Sequence, residues 1–322
     1  MKNFYPIKFQ PILKERIWGG SKLASILSKN TDSDCVGESW EISDVAENTS
    51  IITNGTFKGI SLKELQSQLK ADLIGKKNYK SFKNKFPILV KFIDAKQDLS
   101  IQLHPNNELA AKRHDSFGKT EMWYVMQADD DSNLIVDFNQ KMDKNKYLHH
   151  LNNKTLPEVL NYDKVKEGDT FLIEVGRIHA IGAGVMLAEI QQTSDITYRI
   201  YDWDRVDANG NSRELHIDLA LDAIDFEKPN NYKVKYSREE NISNKMVACP
   251  YFTTNYLEVT KKMKFENNYD SFVIYICVDG EVVIETQAHS ERIKKGETIL
   301  LPAAIKNYSI KSNKAKLLEV YV

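Results

Sequence analysis

The chain has 322 residues, of which 42% are hydrophobic, 28% charged and 10% aromatic, with 44 basic against 45 acidic side chains for a formal charge of −1. At roughly 150 residues per domain that length predicts about two domains, and the apolar supply excludes a disordered chain. The near-zero charge excludes a general nucleic-acid or anionic-membrane binder, which carries a basic excess, but leaves open a local pocket for a small anion.

The start, MKNFYPIKFQ, has no apolar h-region, so no secretory signal is expected there. Ser61-Leu-Lys-Glu64 has capping-box form, and Leu65 and Leu69 follow at helical spacing, which predicts a helix over 61–74. The longest apolar stretch, 86–93, is interrupted by Lys91 and is far too short to span a bilayer. Strand-like runs then dominate: 88–93, 100–104, 122–126, 170–175, 185–191, 197–201, 272–278, 281–286 and 298–301. Short, β-branched or aromatic runs separated by turn residues predict an all-β barrel or sandwich. Helices are expected over 107–114 and 214–224, and small helices over a barrel mouth in the Lys/Asn-rich stretch 139–165. The polar segment 230–244, just after Pro229, is the candidate linker. Cys35, Cys249 and Cys277 are odd in number and lack a CxxC pair, so free thiols in a reducing compartment are expected, and with them a soluble cytoplasmic protein.

An internal repeat sharpens the picture. Lys166-Glu-Gly-Asp-Thr-Phe-Leu-Ile-Glu-Val-Gly-Arg-Ile-His179 lies on Lys294-Lys-Gly-Glu-Thr-Ile-Leu-Leu-Pro-Ala-Ala-Ile-Lys-Asn307. Both copies read basic, glycine, acid, threonine, apolar run and turn, which predicts two copies of one β module. His179 aligns with Asn307, so the first barrel is expected to work and the second to have kept its fold without a metal.

Ser100-Ile-Gln-Leu-His104 alternates strictly, putting Ser100, Gln102 and His104 on one face. Glu121 and Trp123 share a face of the next strand, and His179 follows a tight Val175-Gly176-Arg177 turn. A lone inward histidine is ordinarily a satisfied core residue. Gln102, His104, Glu121 and His179 together form an N2O2 set suited to Zn2+.

His104 with Glu121, then Gly168 and Gly176-Arg-Ile-His179, resemble the two metal motifs of cupins, with an insertion between the first pair. Within cupins the chain resembles the short bacterial form of zinc-dependent mannose-6-phosphate isomerase. The blocks that carry the resemblance are Arg16-Ile-Trp-Gly-Gly20, Gly37-Glu-Ser-Trp-Glu-Ile-Ser43, Phe86-Pro-Ile-Leu-Val-Lys-Phe-Ile-Asp-Ala-Lys96 and Leu99-Ser-Ile-Gln-Leu-His-Pro105. Gly118-Lys-Thr-Glu-Met-Trp-Tyr124, Ile178-His-Ala-Ile-Gly182 and the stretch 189–205 continue them in order. Glu174 departs from the proline many cupins carry before the turn, and Met122 is larger than usual but should face away from the metal.

The resemblance implies a mainly β, tandem cupin fold of jelly-roll barrels with a few short helices in the N-terminal half. It implies a catalytic domain over 1–235 and a C-terminal cupin-like barrel over 236–322 that lacks metal ligands. It implies interconversion of mannose 6-phosphate and fructose 6-phosphate through a zinc-assisted cis-enediol, with one Zn2+ per chain on Gln102, His104, Glu121 and His179. Arg199 is then the active-site arginine, and Ser100 and Lys119 fall in substrate- and phosphate-binding segments; Lys119 is also expected among the catalytic residues, and Trp18 is expected to wall the sugar pocket. The proton carrier is expected to be Glu189 or a zinc-bound water, with Asp195 and His216 as lesser candidates. The competing expectations are a non-catalytic metal-binding cupin that senses a sugar phosphate and another cupin enzyme, such as an iron-dependent oxygenase or a different sugar isomerase. The expected partner is a small sugar phosphate, with no nucleic acid and no membrane, for a monomer or homodimer.

Overall fold

Strict side-chain alternation along strands buried on both faces sorts this chain into two antiparallel barrels. The structure, a computed structural model, describes residues 4–206, 209–227 and 232–322. A six-stranded sheet runs in the order Ile12–Gly20, Val36–Ile42, Ile88–Asp94, Val185–Gln192, Glu121–Ala128, Thr170–Ile173. A five-stranded sheet faces it, in the order Tyr198–Tyr201, Ile101–Leu103, His179–Ile181, Asn133–Phe138, Leu160–Lys164. Trp123, Val125 and Leu187 of the first sheet pack with Leu134, Val136 and Ile181 of the second to fill the space between them. The other faces are equally dry: Met122, Tyr124, Ala188 and Ile190 point outward into a core shared with Ile274, Ile276, Leu318 and Val320 of the second barrel. Met122 thus faces away from the site, as its strand parity requires.

The second barrel is built from strands within 244–321. Its strand Val273–Glu285 sends Val273, Tyr275 and Cys277 into its own interior and Ile274, Ile276 and Val278 toward the first barrel. The runs 272–278 and 281–286 are therefore one strand. Asp279-Gly280 reads as a turn in sequence but forms a bulge, where Gly280 takes φ +72° and the strand bends without ending.

Other elements shift for local reasons. The predicted helix over 61–74 begins with the expected capping box at Ser61 and Glu64, then breaks at Lys70, whose φ is +53°, into Leu62–Leu69 and Ala71–Ile74. Helix Lys76–Phe82 and strands Ile12–Gly20 and Val36–Ile42 were not predicted. The helix at Asn107–His114 matches its prediction, whereas that over 214–224 contracts to Ile217–Leu221. The stretch 139–165 forms Lys144–Asn152, a 3-10 turn Leu156–Val159 and strand Leu160–Lys164. Tyr147 and Leu156 pack on Ile101 and Ile135, so the stretch covers the outer face of the five-stranded sheet rather than a barrel mouth. Residues 230–231 of the expected linker, with Pro229, lie outside the described residues. From Tyr232 onward the segment is pinned to the first barrel, since Tyr232 stacks on Phe171 and the Tyr236 hydroxyl donates to the Gly168 carbonyl at 2.7 Å.

The repeat is structural. Gly168 and Gly296 take φ +85° and +84° in equivalent turns, followed by strands Thr170–Ile173 and Thr298–Leu301. The Gly168 amide donates to the Val125 carbonyl and that of Gly296 to the Cys277 carbonyl, at 2.9 and 2.8 Å. After the two strands, Arg177 N donates to Glu174 O at 3.2 Å, and its counterpart Ile305 N donates to Pro302 O at 2.9 Å.

Candidate metal and active site

Inside the first barrel the pairing registers line up two rows of side chains. Trp40, Lys91, Glu189 and Trp123 are cross-strand neighbours in the six-stranded sheet. Arg199, Gln102 and His179 are neighbours in the five-stranded sheet. The rows meet where the Trp123 and His179 rings pack edge-on with centroids 5.4 Å apart. Residues distant in sequence thereby line one cleft of about 650 Å3, whose walls include Trp18, Trp40, Lys91, Ser100, Gln102, Lys119, Glu189 and Arg199.

Next to Lys119 and Trp123 of that lining, His104, Glu121 and His179 are fully buried, with ligand-type atoms all within 4.8 Å of one another. His104 Nδ1 lies 2.8 Å from the Ile196 carbonyl and His179 Nδ1 2.9 Å from the Arg177 carbonyl. A carbonyl only accepts, so each Nδ1 carries the proton and each Nε2 presents a lone pair. Yet the two Nε2 atoms face each other at 3.1 Å, and neither can donate to the other. Burial pushes both imidazoles down to about 4, with the Lys119 ammonium adding to the effect at His104, so both rings are neutral near pH 7. Glu121 approaches the two Nε2 atoms at 3.5 and 3.6 Å, and its Oε1 accepts no hydrogen bond from the described residues.

These spacings fit a cation. Ligand atoms about 2.0–2.1 Å from a tetrahedral metal lie roughly 3.3 Å apart; the two Nε2 atoms here are 3.1 Å apart, and the Glu121 carboxylate reaches His104 Nε2 with Oε2 at 3.5 Å and His179 Nε2 with Oε1 at 3.6 Å. Lys119 can donate to His104 Nε2, but the facing His179 Nε2 lone pair and the orphaned Glu121 Oε1 are otherwise costly to bury. Gln102, the fourth expected residue, pairs with His179 in register and receives a 3.4 Å hydrogen bond from Ser100 Oγ at its Oε1.

Lys119 is buried with its ammonium at the cluster, 2.5 Å from Glu121 Oε2, 3.0 Å from His104 Nε2 and 3.9 Å from Glu189 Oε1. Burial opposes its charge, but the carboxylates of Glu121 and Glu189 overcome that cost and hold its pKa above the ordinary lysine value. Glu189 Oε2 accepts from the Trp123 indole at 3.0 Å. Its Oε1 lies 3.2 Å from Lys91 Nζ without hydrogen-bond geometry. Arg199 donates from Nε to Ser100 Oγ at 3.2 Å and from Nη1 to the Glu214 carbonyl at 2.8 Å, so its guanidinium is braced at the cleft wall. Trp18 is buried and lines the same cleft, and Asp195 stands exposed at its edge. His216 lies behind Arg199 and accepts the Arg199 backbone amide at Nδ1, 3.1 Å away.

Sequence reasoning missed Lys91, Glu38, Trp40 and Arg16. Glu38 accepts from Arg16 Nε at 2.8 Å and from the Trp40 indole at 2.5 Å, and Lys91 sits 4.9 Å over the Trp40 ring. The available signal was Lys91 itself, the charge interrupting an otherwise apolar buried strand. In the second barrel Asn307 is exposed at the start of its strand, where His179 is buried at the start of its own. Asn307→Ala is therefore expected to leave metal content and thermal stability within the scatter of surface substitutions, about 0.5 kcal/mol, as read by elemental analysis and thermal unfolding.

Among the described residues no helix is long and apolar enough to cross a membrane, and Cys35, Cys249 and Cys277 are unpaired. A family model of the phosphomannose isomerase type I catalytic domain matches residues 7–141, and one of the mannose-6-phosphate isomerase cupin domain matches 242–322. The chain is 33% identical over 311 residues, 95% of each chain, to mannose-6-phosphate isomerase ManA of Bacillus subtilis. It is 32% identical over 305 residues, 94% of each, to the mannose-6-phosphate isomerase of Streptococcus mutans. The crystal structure of a mannose 6-phosphate isomerase from Bacillus subtilis superposes with TM-score 0.90 at 29% identity, covering 98% of this chain and 99% of that one. A phosphomannose isomerase variant from Salmonella typhimurium, at 16% identity, shares the fold with TM-score 0.78 over 98% of this chain and 99% of its own.

Proposed function

Because the chain belongs to the type I phosphomannose isomerase family, we propose that it interconverts mannose 6-phosphate and fructose 6-phosphate in the cleft above His104, Glu121 and His179. The observation that carries the reading is the pair of facing Nε2 atoms, 3.1 Å apart, buried next to a cleft lined by Lys119, Glu189 and Arg199. The exchange moves one proton between C1 and C2 while negative charge grows on the carbonyl oxygen. Zn2+ held by Gln102, His104, Glu121 and His179 supplies Lewis acidity to that oxygen when bound.

The chain's own groups do the rest. Glu189 carries the proton. Its Oε2 is fixed by the Trp123 indole, while its buried Oε1 accepts no hydrogen bond from the described residues and adjoins the cleft. Lys119 and Lys91 flank that oxygen and orient it. Arg199 braces the developing enediolate through the part of its guanidinium not held by Ser100 and the Glu214 carbonyl, and Ser100 and Trp18 help seat the sugar phosphate. Arg199→Ala is expected to lower kcat about 10²–10³-fold, the usual loss of one donor to a developing oxyanion, in a steady-state assay of fructose 6-phosphate formation.

The same reading divides the chain into a catalytic unit over 1–235 and a ligand-free barrel over 236–322. It places the enzyme in the cytoplasm, with the unpaired cysteines in support. The test is to supply mannose 6-phosphate to the purified protein while fructose 6-phosphate is consumed by a coupling enzyme. Sustained product formation is expected. Saturable binding of the sugar phosphate without turnover would instead identify a sensor.

A further inference from the structure

The turn between strands Thr170–Ile173 and His179–Ile181 touches both histidines through its backbone. The Gly176 amide donates to the His104 carbonyl at 2.9 Å, and the Arg177 carbonyl accepts the His179 Nδ1 proton at 2.9 Å. Behind the turn, the Arg177 side chain is fully buried. Its Nη1 lies 2.6 Å from Asp137 Oδ2, its Nη2 3.7 Å from Glu174, and its guanidinium carbon 5.2 Å from the Tyr232 ring centre. Asp137 belongs to the strand paired with His179, where its amide donates to the Ile178 carbonyl at 2.7 Å. It does so at φ +69°, a left-handed conformation that aspartate tolerates better than most residues, and its Oδ1 caps the Phe138 amide at 2.9 Å.

The second barrel supplies an internal control. Its twin of this turn closes with the same backbone hydrogen bond, with Pro302 and Ala304 where this turn has Glu174 and Gly176 at φ +79°, carries the buried apolar Ile305 in place of Arg177, and ends at Asn307 in place of a ligand. A closed turn at this point of the module is therefore compatible with an apolar side chain at the Arg177 position. A buried ion pair is seldom more stabilising than well-packed hydrophobic residues, so the charged pair is explained by what it holds rather than by the fold. The difference between the copies falls on the turn whose carbonyl fixes a ligand's tautomer.

We propose that Arg177 and Asp137 form a positioning clamp for the metal centre, fixing the 175–177 turn and through it the ring orientation of His179 and the backbone of His104. The clamp rests on the metal reading of His104, Glu121 and His179 and goes beyond it by assigning the residues that tune the affinity of that site. Neither Arg177 nor Asp137 lines the substrate cleft, so their effect reaches the metal first.

The test uses Arg177→Ile, which places the twin turn's apolar residue at this position, alone and with Asp137→Asn. The double variant leaves no uncompensated buried charge and keeps a residue tolerant of positive φ. Zn2+ affinity is read by competition with a chromogenic chelator, ligand geometry from the visible spectrum of the Co2+-loaded protein, and folding from thermal unfolding of the metal-free protein. The expected result is an unfolding temperature near that of the wild type, Zn2+ affinity weakened about 10–100-fold and a shifted Co2+ band. Arg177→Lys, which keeps the charge but loses the fork, should fall between the two. A folded double variant that binds Zn2+ as the wild type does, with an unshifted Co2+ band, would overturn the clamp. A His179→Ala control that binds Zn2+ undiminished would overturn the metal reading beneath it, a failure distinguishable from that of the clamp alone.

Discussion

His179→Ala is expected to empty the metal centre and to lower kcat by about 10³-fold or more, since Lewis-acid stabilisation of the carbonyl oxygen is worth several kcal/mol. The substitution removes one of the facing Nε2 atoms and leaves His104 and Glu121, with Gln102 beside them, short of a four-ligand set. It also leaves a void against Trp123, and truncating a buried ring costs about 3–5 kcal/mol. Thermal unfolding must therefore accompany metal analysis. His179→Gln, which refills part of the space with an oxygen ligand, should recover stability and some metal but little activity. A folded His179→Ala protein with full metal content and full turnover would remove this residue from the site.

The second large effect is expected at Glu189. Glu189→Gln should lower kcat about 10²–10⁴-fold, the range contributed by a positioned general base, while metal content stays at one ion per chain. The amide nearly matches the carboxylate in shape and can still accept the Trp123 indole proton, so the barrel keeps its packing. It cannot take a proton from carbon. It also places a neutral group between the Lys91 and Lys119 ammoniums, whose charges the carboxylate balances in the wild type. A fall in kcat with little change in KM is the expected signature, because the loss appears in the transition state rather than in substrate binding. A variant that retains metal and most of its turnover would exclude Glu189 as the proton carrier.

What could be read from the sequence was local. The alternation through Ser100–His104 and the shared parity of Glu121 and Trp123 follow from the two-residue strand period, and the structure keeps both. The capping box at Ser61 and the helix Asn107–His114 depend only on neighbours in sequence, and both form. The pairing that places Lys91 beside Glu189 and Glu189 beside Trp123 is set by long-range register, which no short window carries. Strands such as Val36–Ile42 and Ile88–Asp94 are buried on both faces, so the polar–apolar alternation that marks a half-exposed strand is weak in them, and neither Glu38 nor Lys91 was assigned to the site. The continuous strand Val273–Glu285 was hidden for a different reason: Asp-Gly is a strong turn signal, and only the pairing with Ala315–Tyr321 turns it into a bulge.

Metal removal and return tests the central claim most directly. The purified protein is stripped with a chelator, its residual metal is measured by elemental analysis, and mannose 6-phosphate turnover is followed before and after stoichiometric Zn2+ is restored. The expected result is activity that falls in proportion to metal content and returns as one Zn2+ per chain binds. Undiminished turnover by protein shown to be metal-free would contradict it.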